Sequence, residues 1–386
     1  MPLIYLIAGE QSGDVLGARL MRALTAARPG LTFAGIGGAA MAEQGLTSLF
    51  PMQDLALMGL LEILPKIRHL KQRLRQTTAD IAARRPDVVV TIDSPGFTLR
   101  VLRAIAPLGI PRAHYVAPQV WAWREGRVKH YPGLWERLLC LLPFEPAFFA
   151  GHGLPARFVG HPVLESGAET GDAARFRASN AIAPDARLLI LMPGSRRTEV
   201  SRLLPRLGAT LSRLPADIIP VVPIAAPVAE AVRAGTAGWA ARPILVTETD
   251  DKHDAFAAAT AALTKSGTST LELALAGVPM VVTYRVNPVT AAIMRHLIRV
   301  PYASLLNIIA DRLVVPELLQ RDAAPGKLVA ALRTLLDNPA AAAAQREACQ
   351  GVLTTLRPPG GGKPSEAAAA EVLDLLDQTR SLHPRL

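Results

Sequence analysis

Short apolar runs rich in β-branched residues recur along this chain, each breaking into a turn of small or polar residues that opens a helical pattern. Val88–Ile92, which reads Val-Val-Val-Thr-Ile, has no polar face at all, as expected of a strand buried on both sides. Such strands alternating with helices dictate parallel sheets joined by helical crossovers. In the first half Leu3–Ala8, Val88–Ile92, His114–Val116 and Leu138–Leu142 are expected strands, with a helix from about Val15 to Ala27 behind the first. From Arg187 the alternation restarts through Leu188–Met192, Ile218–Val222, Ile244–Val246, Ala261–Thr264 and Met280–Thr283. The pattern predicts an α/β protein of two Rossmann-like, doubly wound domains, residues 1–165 and 166–357, with small polar residues Ser166–Asp172 as the linker. Pro358–Pro364, with three consecutive glycines, stops any helix, and 358–386 carries a last amphipathic helix ending near Leu382.

Two turns in the second half are built to meet an anion. Pro193-Gly194-Ser195-Arg196 follows one apolar run and Lys265-Ser266-Gly267-Thr268 another. A turn of this kind at a helix start presents backbone N–H groups backed by the helix dipole. Arg196 adds a guanidinium that can fork two phosphate oxygens. Gly194, Ser195, Arg196, Ser266, Gly267 and Thr268 are therefore candidates for a diphosphate, and Glu272 for ribose hydroxyls, which together indicate a nucleotide sugar. The plainer alternatives are an Arg196–Glu199 pair at i+3 and simple helix capping by Ser266 and Ser269.

The first half offers acids instead. The turn Ala8-Gly9-Glu10-Gln11-Ser12-Gly13-Asp14 is not GxGxxG, and its carboxylates would repel phosphate while accepting from sugar hydroxyls. Ser12 and Asp14 could equally cap the first helix. Asp93, immediately after the Val88–Ile92 strand, stands where a general base is needed to deprotonate a sugar hydroxyl; its alternative is a cap or a turn brace. Gln119, in the segment holding Trp121 and Trp123, and His161, near the domain joint, are further substrate-binding candidates. The two tryptophans suit either sugar stacking or interdomain packing.

Composition excludes several classes. Cys140 and Cys349 are the only cysteines, and the eight histidines are scattered without HxxxH or DxD spacing, so neither a disulfide framework nor a metal site is expected, and no cofactor is implied. With no disulfide framework a reducing cytoplasm is the expected compartment, and the apolar start Met1–Ala8 is too short for a signal peptide and reads as a strand. No run reaches the roughly 20 residues of a membrane span; Ile218–Ala229 is interrupted by Pro220, Pro223 and Pro227. The net charge of +10 still asks for an anionic partner. With five Tyr, nine Phe and no RNA-module motif, nucleic acid fits less well than an anionic membrane surface or a phosphorylated lipid. Leu57, Met58, Leu60 and Leu61 followed by Lys66 and Arg68 would dock such a surface: seven apolar residues within the ten positions 55–64 exceed one helical stripe, and each nearby cation contributes about 1 kcal/mol.

Taken together, Ala8–Asp14, Asp93–Phe97, Tyr115–Arg124, Leu142–Glu145, Val159–Pro162, Met192–Arg196, Ser266–Glu272, Val281–Arg285 and Pro316–Gln320 resemble the lipid-A-disaccharide synthase family, inverting glycosyltransferases of the two-Rossmann (GT-B) architecture. The motifs run in family order over nearly the whole chain. The resemblance implies two domains facing a cleft, a C-terminal helix returned to the first domain, and a homodimer. It also implies condensation of UDP-2,3-diacylglucosamine with 2,3-diacylglucosamine 1-phosphate into a β-1,6-linked disaccharide and UDP, at the inner membrane of a Gram-negative bacterium. Asp93 would activate the acceptor 6-hydroxyl with Glu10 beside it, Arg196 would hold the diphosphate, and Asn307, Glu317 and Gln320 would bind substrate. Two positions depart from the family pattern: Gly96 stands where many relatives carry a second acid, and Leu306 replaces a proline before Asn307. A UDP-sugar 2-epimerase shares the two-domain plan, a glycolipid transferase of peptidoglycan synthesis would open with a glycine-rich loop, and a basic nucleic-acid-binding protein is the non-enzymatic alternative.

Overall fold

The apolar runs assemble two all-parallel, six-stranded sheets in the computed structural model, which describes residues 1–55, 60–287, 291 and 297–382 (side chains of 60–67 and 379–382 excepted). The chain divides into two units: Met1–Pro162 with Leu356–Leu386, and Val163–Thr355.

In the first unit, β1 (Leu3–Ala8), β2 (Thr32–Ile36), β3 (Val88–Ile92), β4 (Arg112–Tyr115), β5 (Arg137–Cys140) and β6 (Ala156–Phe158) lie in the order β2-β1-β3-β4-β5-β6. Leu6, Ile7, Val88, Val89 and Val90 have no exposed surface, because helices cover both faces. Those helices include α1 (Gln11–Ala27), α2 (Ala39–Glu43), α3 (Leu60–Arg84), α4 (Pro95–Ile105), α5 (Val120–Trp123) and α6 (Glu145–Ala150). The C-terminal helix Pro364–Leu382 belongs to this unit too. It buries Ala368, Ala369, Val372, Leu375 and Leu376 in the same core as Ile4 and Leu20. Ion pairs fasten its outer face, Arg28 to Asp377 at 2.6 Å and Arg137 to Asp374 at 2.6 Å.

In the second unit, α7 (Ala173–Ser179) precedes β7 (Leu188–Leu191), α8 (Arg197–Leu211), β8 (Ile219–Pro223), α9 (Ala229–Thr236), β9 (Ile244–Val246), α10 (Thr249–Ala258), β10 (Ala261–Lys265), α11 (Ser269–Leu275), β11 (Met280–Tyr284) and β12 (Glu317–Leu319). The sheet order is β12-β11-β10-β7-β8-β9. Leu189, Leu191, Val222, Leu263 and Val281 form its core with Leu328 and Leu332 of the helix Pro325–Leu336.

Ser166–Asp172 is not a loose linker. Ala168 is buried, Asp172 N donates to Asp254 Oδ1 at 2.7 Å, and a Cβ on Gly171 would come within 2.0 Å of the His253 carbonyl. Small residues are required there because the backbone lies directly against α10. The strands β2, β6 and β12 are absent from the sequence expectation, and α1 begins four residues before the expected Val15.

Each sheet has one place where the direction of strand addition reverses, between β1 and β3 and between β7 and β10. At such a switch point neighbouring loops diverge at the carboxyl ends of the strands and leave room for a ligand.

Candidate active site

At the first unit's switch point the turns after β1 and β3 lie side by side, with Ala8 in register with Ile92. Gly9 has to be bare: a Cβ there would sit 2.5 Å from Ser94 Oγ. Asp93 and Ser94 both take left-handed backbone angles, φ 50° and 47°, which non-glycine residues adopt at a cost. The kink is braced by Asp93 Oδ1 accepting from Ser94 N at 2.7 Å and by Thr98 Oγ1 donating to Asp93 O at 2.7 Å. It turns the Asp93 carboxyl toward Glu10, with which it shares a hydrogen bond. Burial, and then the Glu10 charge, raise Asp93 to about 6, against the lowering effect of Ser94 N–H. Two neighbouring carboxyls that resist joint ionisation form a proton-holding pair. Ser12, exposed, donates to Glu10 Oε1 at 3.1 Å.

Neither Ser12 nor Asp14 caps α1, whose N-cap residue is Glu10. The buried Asp14 carboxylate instead accepts from the backbone N–H of Gly38, Ala40 and Met41 at 2.7–3.1 Å, so it caps α2. That leaves Asp14 a structural acid and Glu10 with Asp93 the chemically disposed ones.

The tryptophan segment splits. Trp121 is buried, edge-on to Phe144, and donates to Glu145 Oε1 at 3.1 Å. Glu145 also accepts from Leu141 and Leu142 N–H, and burial raises it to about 7. Trp121 is therefore core within its own unit, while Trp123 is exposed under the Arg124 guanidinium. Gln119 is exposed at the start of α5. His161 is buried, and the loss of solvent lowers its ring to about 4.

At the second unit's switch point the turns after β7 and β10 are adjacent, with Leu191 in register with Leu263. Arg196 is free to reach solvent, its side chain 67% exposed. Gly194 and Gly267 both carry positive φ, 111° and 146°, which is why glycine occupies each turn. The turn amides are not idle: Ser195 and Arg196 N–H donate to Glu199 Oε2 at 3.1 and 3.4 Å. Lys265 Nζ reaches the same oxygen at 3.6 Å. Glu199 and Lys265 are additions to the candidate residues; the N-cap-to-N3 spacing of Arg196 and Glu199 was the available signal for the first. The i+3 pair of Arg196 with Glu199 is also present, at 3.7 Å. Ser266 Oγ donates to the Ala303 carbonyl, Thr268 is exposed, and Glu272 pairs with Lys252 at 3.2 Å.

Asn307 has no surface to offer. It is fully buried, its Nδ2 donates to Val315 O and Glu317 Oε1, and its Oδ1 accepts from Val314 and Val315 N–H. Glu317 also accepts from Ala303 and Ser304 N–H at 2.8 and 2.7 Å. In this arrangement Asn307, expected to bind substrate, braces the backbone: it ties the 303–317 loop to the segment on which Ser266 rests. Gln320 has φ 51° and donates its N–H to Tyr284 O at 3.0 Å. Of the residues expected to dock a membrane surface, Leu57 and Met58 lie outside the described residues, as do the side chains of Leu60, Leu61 and Lys66; Arg68 is exposed on α3. Among the described residues no three metal-ligating side chains cluster, and no helix is long and apolar enough to cross a membrane.

Residues 4–370 match the family model described as lipid-A-disaccharide synthetase. A lipid-A-disaccharide synthase of Granulibacter bethesdensis is 58% identical over 98% of this chain and 99% of its own, and one of Gluconobacter oxydans is 57% identical over 99% and 93%. Among solved structures, the UDP co-structure of S. aureus MnaA has a TM-score of 0.64 at 15% identity, covering 100% of this chain and 98% of its own. The calicheamicin glycosyltransferase CalG4 has a TM-score of 0.61 at 16% identity, covering 98% and 99%. Likeness at that distance reports the shared two-Rossmann fold, and the epimerase reading has no support beyond it. With matched family motifs running nearly end to end, the chain belongs to the lipid-A-disaccharide synthase family.

Proposed function

We propose that this chain transfers a 2,3-diacylglucosamine unit from UDP to the 6-hydroxyl of 2,3-diacylglucosamine 1-phosphate, giving a β-1,6-linked disaccharide 1-phosphate and UDP. The observation that carries the mechanism is the Glu10–Asp93 pair, a carboxyl raised to about 6 beside a second acid. Such a group is a stronger base than an ordinary carboxylate yet is still ionised at neutral pH. Asp93 takes the proton as the acceptor oxygen bonds to the donor's anomeric carbon, and the bond from that carbon to the diphosphate oxygen breaks with inversion. Arg196 and the Ser266–Thr268 turn hold the charge that develops on departing UDP. Glu10 positions Asp93; Ser12, Gln119, His161, Glu317 and Gln320 shape the sugar and acyl environment, and Glu272 receives the ribose.

The test is product analysis after mixing purified protein with the acylated UDP-sugar and its phosphorylated acceptor. One UDP per disaccharide supports the proposal. Consumption of UDP-N-acetylglucosamine without an acceptor would return the epimerase reading.

Both substrates are acylated, so we further propose that the protein binds the cytoplasmic face of the inner membrane peripherally through the 57–68 segment; a homodimer is proposed from the family resemblance. Replacing Leu60 and Leu61 with Ser should reduce sedimentation with anionic vesicles while the thermal transition stays in place; unchanged sedimentation rejects that surface.

A further inference from the structure

Beside the turn proposed to hold the diphosphate sits a negative charge that the transfer reaction does not use. The Glu199 side chain is only 6% exposed. It is nested against Gly194, where a Cβ would come within 2.4 Å of its Oε2. That oxygen accepts from Ser195 and Arg196 N–H, so Glu199 defines the shape of the turn. A buried carboxylate at this place also repels an incoming diphosphate.

Two cations answer it, and they are not equivalent. Arg196 lies 3.7 Å away but is 67% exposed, so solvent screens its pairing and its guanidinium is available to a ligand. Lys265 lies 3.6 Å away and is 19% exposed. Its Nζ is also 3.3 Å from the position a Cβ would take on Gly267. One half-buried ammonium at the end of β10 therefore touches both anion-ready turns.

We propose that Lys265 is a positioning residue for the donor: it neutralises Glu199, so that a turn shaped by a carboxylate can still receive an anion. This rests on reading these turns as the diphosphate site. The specificity that follows is for a dianionic or trianionic leaving group held with Arg196, whose charge Lys265 leaves uncommitted.

The test is the affinity for UDP, by calorimetry, of wild type, Lys265→Met, Glu199→Gln, the double variant and Arg196→Ala. Lys265→Met should weaken binding by about tenfold or more, because it leaves the buried carboxylate unpaired. Glu199→Gln keeps an acceptor for the turn amides and should bind as tightly as wild type or tighter. The double variant should return to within about threefold of wild type, a coupling that a merely structural lysine would not produce. Lys265→Arg should retain affinity. A Lys265→Met loss that Glu199→Gln fails to rescue would make the lysine a direct ligand and overturn the proposal, as would no loss at all. Should Lys265→Met not fold, Glu199→Gln decides alone, a tenfold weaker affinity being the adverse result. If wild type does not bind UDP, or Arg196→Ala changes nothing, it is the donor-site reading that fails; if Arg196→Ala weakens binding and Lys265→Met does not, only this inference does.

Discussion

The two switch points are built alike and charged oppositely. In each unit a pair of neighbouring parallel strands ends in two adjacent turns, β1 with β3 and β7 with β10. The first pair carries Glu10 and Asp93, which share a hydrogen bond; the second carries Arg196 and Lys265 around a single carboxylate. The backbones differ in the same sense. The acidic turn forces two non-glycine residues into left-handed angles, whereas the basic one places glycines at 111° and 146°. Architecture decides where chemistry can happen, and the side chains at the strand ends decide which chemistry. On the function proposed, the strained aspartate is the proton acceptor and the glycine turns are the side that receives an anion.

The strongest way to break that division is at the base. Asp93→Asn should cut turnover by at least about a hundredfold while UDP affinity stays nearly intact, since only a transition-state proton transfer is lost. A variant with near-normal turnover on both lipid substrates would remove Asp93 from the reaction. The pH dependence sharpens the same point. Because the base must be ionised and its carboxyl is raised to about 6, kcat/KM should climb with pH through about 6 and level off above it. Steady-state assays from pH 4.5 to 8 would show it; a profile already flat at pH 5 would mean that Glu10 does not hold a proton with Asp93.

In the second unit, Arg196→Ala should raise the KM for the UDP-sugar by about tenfold with a smaller loss in kcat, the mark of a group that binds ground and transition states alike. Gly194→Ala should act through shape. A methyl group would meet the Glu199 carboxylate at 2.4 Å on a backbone with φ 111°, so a loss of about 1–3 kcal/mol in stability and weaker UDP binding are expected. Thermal melts and UDP titrations check both. A Gly194→Ala protein with wild-type UDP affinity would show that the turn does not contact the diphosphate.

Much of this arrangement is legible in the sequence, and what is not has a common cause. The interior strands Val88–Ile92 and Leu188–Leu191 announce themselves because burial on both faces demands uninterrupted apolar runs. The three unexpected strands, β2, β6 and β12, are all sheet edges, where one side faces no partner strand and the apolar requirement relaxes. Thr32–Ile36 includes Gly35, and Glu317–Leu319 is only three residues long. In the site, residues acting through their own turn were visible and those acting through a neighbour were not. Lys265 reaches Glu199 only because β10 lies beside β7, a pairing between positions more than sixty residues apart. Asn307 resembles a ligand-binding residue by its place in a motif, yet its amide is saturated by Val314, Val315 and Glu317, a count that only three dimensions reveal. Asp14 stands in the right turn but spends its carboxylate on α2.

The smallest expected effect probes the conformational half of the contrast. If the acidic turn holds strain where the basic one does not, giving it a glycine should relax it. Ser94 is the position to change, since its side chain makes no capping hydrogen bond and crowds Gly9. A left-handed non-glycine residue costs about 1–2 kcal/mol, and the extra chain entropy of glycine offsets about 0.5–1 kcal/mol of the relief. Ser94→Gly should therefore raise stability by about 0.5–1 kcal/mol, read as a melting shift of about 1–4 °C, and lower turnover slightly as the loosened backbone lets the Asp93 carboxyl wander, although the Ser94 N–H and Thr98 hydroxyl that brace it stay in place. Stability falling instead would mean that the Ser94 side chain supports the turn and that φ 47° carries no penalty there. The two switch points would then differ in charge alone.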